Sequence, residues 1–266
     1  MKSKNKTFNL NVIYKNIPGK GTGTKYKSKK AWFSSNLKHD ITCIQEVKSK
    51  VHKACLDWFP IGWHDQVCTS LMQDTTNAQG GVMIALNPHS GLKVLKTIEI
   101  TGTQGRVLAL EIKWKDFFKF TIVNLYLPSG NDKKAIKERN NIIDKIKNNK
   151  QIQKAKNLLI GGDWNSIRHA DDSTNPNYNM DSAPHLEQLE NELSLYDLVK
   201  AEQVHNDDLD EEFSKCNFTR CSLGANSVNF SRIDRVLINY ELSRKVSNIR
   251  KTDAANESDH DTLMVT

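Results

Sequence analysis

The stretch Leu158-Leu159-Ile160-Gly161-Gly162-Asp163-Trp164-Asn165 decides how this chain is read. Three large apolar residues form a short run of the kind that makes a strand buried on both faces. Two glycines follow, which end the strand and let the backbone turn sharply or approach another chain closely. Asp163 and Asn165 then fall on a loop at the end of a rigid strand, a common place for chemistry. An ordinary strand followed by a polar turn would look the same, so the rest of the chain has to separate the two readings.

Outward from this stretch, apolar runs that end in polar residues recur. Thr7 to Ile13 alternates as a first strand with Asn11 in it or near its end, and Asp40 to Gln45 is a strand that runs into Glu46. Gly80-Gly81 is a tight turn before a strand to Leu86. Residues 92–100 and 106–113 form a meander, and Phe120 to Leu127 is stopped by Pro128-Ser129-Gly130. Helical composition covers Lys133 to Lys156 and His185 to Leu198, and Ala31 to Leu37 ends another helix. Asn217 to Ser222 and Val228 to Ile238 read as a hairpin, 171–184 as an irregular loop, 206–212 as an acidic one, and Thr262 to Val265 as a last strand. Lys15 to Lys30, with three interleaved glycines, reads as a flexible cationic loop; it lacks the spacing of a phosphate-cradling loop. Strands outnumber helices and are joined by short turns. The reading is one α/β domain over 1–266, two packed mixed or antiparallel sheets with helices outside.

Composition sets the class. The 266 residues are 38% hydrophobic, enough for a sizeable core, and the formal net charge of +7 favours an anionic partner such as nucleic acid. The five cysteines, Cys43, Cys55, Cys68, Cys216 and Cys221, are odd in number with no C-x-x-C pair, which reads as reduced thiols. The charged start Met-Lys-Ser-Lys-Asn-Lys has no apolar stretch after it, and no run of 18 apolar residues occurs. The expectation is a soluble protein of a reducing compartment, with no membrane span and no secretory signal.

Polar residues at strand ends collect into one set: Asn11, Glu46, Tyr126, Asp163, Asn165, Asp234, Asp259 and His260. Carboxylate and amide oxygens without thiolates suit a hard cation, Mg²⁺ with Mn²⁺ as a substitute. A base for water and donors for developing charge are also present, which is the inventory of a hydrolase.

Gln45-Glu46, Asn124-Leu125-Tyr126-Leu127-Pro128, Gly162-Asp163-Trp164-Asn165, Ser231-Arg232-Ile233-Asp234 and Ser258-Asp259-His260 stand in the order of the endonuclease/exonuclease/phosphatase superfamily. The chain resembles that superfamily from Asn11 to His260. The resemblance implies the deoxyribonuclease-I-like fold, a four-layer α/β sandwich. Phe218-Thr219-Arg220, Ser231-Arg232-Ile233-Asp234-Arg235 and the Gly80-Gly81-Val82 turn look most like the apurinic-like endonuclease domain of non-LTR retrotransposons. Such a domain nicks one strand of double-stranded target DNA and leaves a 3′-hydroxyl that primes reverse transcription. The resemblance thus implies a covalently linked reverse transcriptase further along a polyprotein, a monomeric domain, and action on nuclear DNA inside the cell.

By the same resemblance, Glu46 is the principal metal ligand with Asn11 and Asp259 near it. Asp163 orients or deprotonates the attacking water, Asn165 positions water or phosphate, and His260 hydrogen-bonds the scissile phosphate. Asp234 holds the His260 ring, and Tyr126 contacts the phosphate or the leaving oxygen. Thr219, Ser231 and Arg232 contact DNA, with Arg232 open to facing solvent instead. Apart from the resemblance, the charge of the cationic loop lets Lys20, Lys25 and Lys27 contact phosphates if the partner is DNA, against a merely solvated loop. The family's first motif has Gly soon after Asn, whereas here the first glycine is Gly19; Asn11 matches best, and Asn9 and Asn16 compete. Trp164 stands where Phe is usual and reads as packing. Within the same fold, an abasic-site repair endonuclease, an inositol-phosphate phosphatase and a sphingomyelinase are alternatives. A DNA-binding module without turnover is an alternative of another class, and the complete catalytic set argues against it.

Overall fold

Five- and six-residue runs buried along their whole length build two sheets. β1 (Val12–Asn16), β2 (Ile41–Gln45), β4 (Val82–Leu86) and β8 (Leu158–Asp163) are all of this kind, as a strand covered on both faces must be. The structure is a computed structural model that describes residues 9–19, 23–72, 80–115, 117–198, 218–223, 227–252 and 258–266, without the side chain of Lys25. Lys20, Cys216, His205 and the acidic stretch 206–212 lie outside the described residues.

Among the described residues, the first sheet adds β3 (Val67–Ser70), β13 (Ile249–Thr252) and β14 (Thr262–Val265) in the order β13-β14-β1-β2-β4-β3. The second runs β5-β6-β7-β8-β12-β9, with β5 (Leu92–Ile98), β6 (Val107–Trp114), β7 (Phe118–Tyr126), β9 (Leu195–Asp197) and β12 (Asp234–Asn239). Each sheet holds one parallel pair, β1 with β2 and β7 with β8. A parallel pair needs a crossover. Here the crossovers are α1 (Gly23–Asn36) and the pair α3 (Lys133–Lys147) and α4 (Lys150–Gln153).

The sheets pack face to face over Tyr14, Ile84, Leu110, Ile122 and Val236. α1 and α2 (His52–Leu56) cover the outer face of the first sheet through Phe33 and Cys55. α3 and α5 (Ala183–Glu192) cover the second through Ile142, Ile146, Leu186 and Leu189. The result is the four-layer α/β sandwich. Because both parallel pairs place their C-terminal ends at one edge, the ends of β1, β2, β7 and β8 lie together there. Asn124 ties the sheets beside that edge: its amide donates to the Ile44 and Met83 carbonyls at 3.0 and 2.9 Å and accepts from Gln45. No described helix is long and apolar enough to cross a membrane.

Several elements differ from the sequence reading. The first strand is Val12–Asn16, so Asn11 precedes it and Asn16 ends it. Much of the cationic stretch is not a loop: residues 23–36 are helical, Lys15 is buried within β1, and buried Lys29 donates to the Pro18 and Gly19 carbonyls. Gly161 and Gly162 do not end β8 but lie inside it. A Cβ on Gly161 would stand 2.6 Å from the Tyr14 ring, and one on Gly162, at φ +135°, 2.1 Å from the Leu125 carbonyl oxygen. The helix from Lys133 breaks at Asn148-Asn149, where Asn149 caps α4. The helix from Ala183 stops at Glu192, and the chain goes on into β9. The hairpin is shorter than its apolar pattern: β10 (Arg220–Leu223) pairs with β11 (Val228–Ser231), while β12 belongs to the second sheet and leads into α6 (Tyr240–Ser243).

Candidate active site

Strand register brings the polar residues together. Asp163, the last residue of β8, pairs with Tyr126 at the end of β7 and with Asp234 at the start of β12. In the facing sheet Asn16 pairs with Gln45, and Glu46 follows at once. His260 comes two residues before β14, which pairs with β1. Six strands thus deliver their chemistry to one edge.

The hydrogen bonds there are specific. Asp163 accepts from the Asn165 backbone N–H (2.8 Å), the Asn165 side-chain amide (3.0 Å) and the Asn16 amide (2.7 Å). Asn165 holds φ at +45° and its amide also donates to the Leu127 carbonyl. His260 Nδ1 lies 2.8 Å from Asp234 Oδ2, and its Nε2 faces Asp163 Oδ2 and Asp259 Oδ1, each at 3.9 Å. The Ser258 hydroxyl donates to the Asn16 carbonyl and accepts from the His260 N–H, and the Lys15 ammonium donates to the His260 carbonyl. The imidazole is therefore fixed through both its ring and its backbone. Glu46 sits at φ +58°, a conformation that costs a non-glycine residue energy and clusters at working sites, and its carboxylate meets Lys48 at 2.7 Å.

Burial raises the Asp163 carboxyl to about 7, with Asp234 adding to the rise; His260 and the Asn165 and Asn16 donors oppose it. Burial alone would lower His260, but Asp234, Asp163 and Asp259 outweigh it and lift the imidazole to about 9. Near neutral pH the ring is thus protonated and can donate from Nε2, while the raised Asp163 carboxylate is a stronger base than a free one and can accept a proton. Burial, with Glu46 and Asp163, pushes the Tyr126 phenol well above its usual value, so it stays protonated; Arg106 lies over its ring, 5.2 Å from the centroid.

The structure brings together Glu46, Tyr126, Asp163, Asn165, Asp234, Asp259 and His260. It removes Asn11, which lies at the opposite end of β1 and is tied to Asp40 and Thr266; Asn16 takes the place at the site edge. Three of the residues read as DNA contacts are buried in the structure. Thr219 is buried, and its hydroxyl accepts from the Ile233 and Asp234 N–H groups. Ser231 is buried and its backbone pairs with Arg220 and Ser173. Arg232 is buried and forks onto Asp172 and Asp197, both at 2.8 Å. Lys27 is exposed on α1, Lys20 is outside the described residues, and nothing is described of the Lys25 side chain. Two residues near the centre were not singled out: Arg220, whose Nε donates to Asp259 at 2.9 Å, and Ser258. Asn16 stood only as a competitor to Asn11.

The donor set fits a hard divalent cation. Asn16 Oδ1 is buried with no hydrogen-bond partner, beside the turn that carries the Glu46 carboxylate. Orphaned buried oxygens are uncommon, and oxygen-only donors suit Mg²⁺ or Mn²⁺. Asp163, Asp234 and His260 also lie close enough to share an ion. The 2.8 Å bond between His260 and Asp234 instead makes those two a hydrogen-bonded dyad, so Glu46 and Asn16 are the better ligand pair.

The chain matches the Endonuclease/Exonuclease/phosphatase family over residues 7–260. No curated protein matches it in sequence. Solved structures share the whole fold. The endonuclease domain of TRAS1, a telomere-specific non-LTR retrotransposon, gives a TM-score of 0.65 at 17% identity over 97% of both chains. An AP endonuclease from Archaeoglobus fulgidus gives 0.68 at 17% identity over 97% of this chain and 98% of the other. The 3′-5′ exonuclease NExo from Neisseria meningitidis gives 0.68 at 15% identity over 97% and 99%. This chain belongs to the Endonuclease/Exonuclease/phosphatase family and has the deoxyribonuclease-I-like fold.

Proposed function

Starting from that membership, we propose that the chain is a divalent-metal-dependent DNA endonuclease that nicks one strand of duplex DNA by hydrolysis and leaves a 3′-hydroxyl. We infer further that the nick primes reverse transcription of a non-LTR retrotransposon in nuclear DNA, with the reverse transcriptase covalently linked to this domain. The order and wording of the motifs support that finer reading, Ser231-Arg232-Ile233-Asp234 above all.

One observation carries the hydrolytic reading: a carboxylate held by three N–H donors faces, across 3.9 Å, an imidazole whose other nitrogen is pinned to Asp234. Asp163 takes a proton from water as the water oxygen bonds to phosphorus. The bond from phosphorus to the 3′-oxygen breaks, and that oxygen leaves as an alkoxide that takes a proton from solvent to become the 3′-hydroxyl, while Asp163 returns its proton to solvent. Protonated His260 donates from Nε2 to a phosphate oxygen as charge builds, with Asp234 holding the ring and stabilising its charge. The Tyr126 phenol supplies a second donor toward the phosphate or the leaving oxygen. A Mg²⁺ or Mn²⁺ ion held by Glu46 and Asn16 would supply neutralisation of the charge developing on the phosphate.

The test is conversion of supercoiled plasmid to open circle with Mg²⁺, followed by sealing with DNA ligase, which joins only a 3′-hydroxyl to a 5′-phosphate. Mg²⁺-dependent, sealable nicks that vanish in Glu46→Ala and His260→Ala are the expected result. Intact plasmid, unsealable nicks or fully active variants would overturn the reading. Strong preference for a duplex with an abasic analogue would move the assignment to repair, and turnover of inositol phosphates alone would move it to a phosphatase.

A further inference from the structure

Arg220 is a cation beside the centre that the hydrolytic step leaves unused. It opens β10, and its backbone bridges to His260. The next residue's N–H donates to the Asp259 carbonyl at 3.1 Å, and the Asp261 N–H donates to the Thr219 carbonyl at 2.7 Å. Arg220 is thus bound on both sides to the segment that carries the imidazole. Its Nε donates to one oxygen of Asp259, whose other oxygen stands 3.9 Å from His260 Nε2, and its side chain is 33% exposed. A guanidinium carries five N–H donors in a planar fork, and one of them is engaged here on a carboxylate that is itself 42% exposed.

The charge balance around this cation is the second observation. Asp163, Asp234 and Asp259 stand around the His260 ring, and Asp163 lies within electrostatic range of Arg220. A phosphodiester brings a further negative charge, and its hydrolysis adds another. It must land against His260 Nε2, the side on which Asp259 and Arg220 stand. We propose that Arg220 is a phosphate-binding residue of this site, its guanidinium donating to a non-bridging oxygen of the phosphate seated on His260. Asp259 holds the fork in place until the phosphate arrives. This rests on the reading of the site as a phosphoesterase and adds a substrate contact to it.

The competing role is purely structural, with Arg220 bracing Asp259. The two roles separate in equilibrium binding of a duplex oligonucleotide, measured in EDTA to prevent cleavage, over a series of NaCl concentrations. If Arg220 binds phosphate, Arg220→Met weakens binding and flattens the plot of log affinity against log salt by about 0.9, the share of one phosphate contact. The same loss persists in the Asp259→Asn background, and Arg220→Lys restores the slope in part. An unchanged slope in Arg220→Met, or an effect that disappears once Asp259 is Asn, would overturn the proposal. If the parent does not bind duplex in a salt-dependent way, the DNA reading fails by itself, and inorganic phosphate then decides on Arg220. Phosphate binding by the parent that is several-fold weaker in Arg220→Met supports the proposal. Equal binding in both, or none by the parent, overturns it.

Discussion

Two clusters of buried charge meet at the start of β12, and they are balanced differently. On one side Arg232 and Arg235 fork onto Asp172 and Asp197 through four ion pairs of 2.6 to 3.0 Å. Two guanidinium groups cancel two carboxylates. Burial would raise both acids, but Arg232 and Arg235 outweigh it and hold them below the usual range. On the other side Asp234 and Asp163 share one imidazole, and the Asp163 carboxyl moves the opposite way, up to about 7. The matched cluster spends its charge inside the protein and fixes the loop after β8 against β12. The unmatched cluster keeps spare acceptor and donor capacity, which the proposed hydrolysis uses for a water, a phosphate and a cation. Burial of charge marks a working site where the count does not close.

That contrast breaks if the two clusters respond alike to mutation. The largest effect belongs to His260→Ala, which lowers the single-turnover nicking rate by on the order of 10³-fold without unfolding the protein; a loss under tenfold would remove the imidazole from the chemistry. Next, Asp172→Ala leaves two buried guanidinium groups short of a partner and costs about 3–5 kcal/mol of unfolding free energy. Urea denaturation checks this, and a change below about 1 kcal/mol would show that the clamp is not structural. The clamp also carries a sign in pH. Its carboxyls are depressed in the native state, so their stabilisation is present above the unfolded carboxylate value of about 3.9 and is lost as pH falls through the lower native values. Acid titration of stability should therefore be flatter in Asp172→Asn than in the parent. Asp234→Asn is smaller, a loss of about 10- to 100-fold in rate through a misoriented ring, with KM for DNA little changed. Smallest is Lys27→Ala on the exposed face of α1, which weakens duplex affinity by about twofold; an unchanged affinity would take Lys27 out of the DNA interface.

What sequence reasoning recovered was the local part of this arrangement. Apolar runs such as Leu158-Leu159-Ile160 announce a buried strand wherever it pairs, and Asp163, Asp234 and His260 each end or begin such a run. Asn16 was harder to see because Lys15 and Asn16 are polar yet buried on a strand, so the alternating pattern upstream drew the strand toward Asn11. The glycines of β8 resemble a stop signal; only the Tyr14 ring and the Leu125 carbonyl, distant in the chain, show why they must stay inside the strand. Arg232 looks like a DNA contact when its partners are unknown, since Asp172 and Asp197 lie 60 and 35 residues away. α1 hid in a lysine- and glycine-rich stretch with little apolar periodicity, and it exists because the parallel pairing of β1 and β2 needs a crossover.

The most direct test of the unmatched cluster is the single-turnover nicking rate of Asp163→Asn, with duplex binding and thermal unfolding recorded on the same preparation. The substitution keeps the shape and removes the acceptor that takes the proton from water. A loss of about 10³-fold or more in rate, in a protein that still folds and binds duplex, is the predicted result. A rate within tenfold of the parent would show that Asp163 does not activate the water, and the assignment of the centre would fall with it.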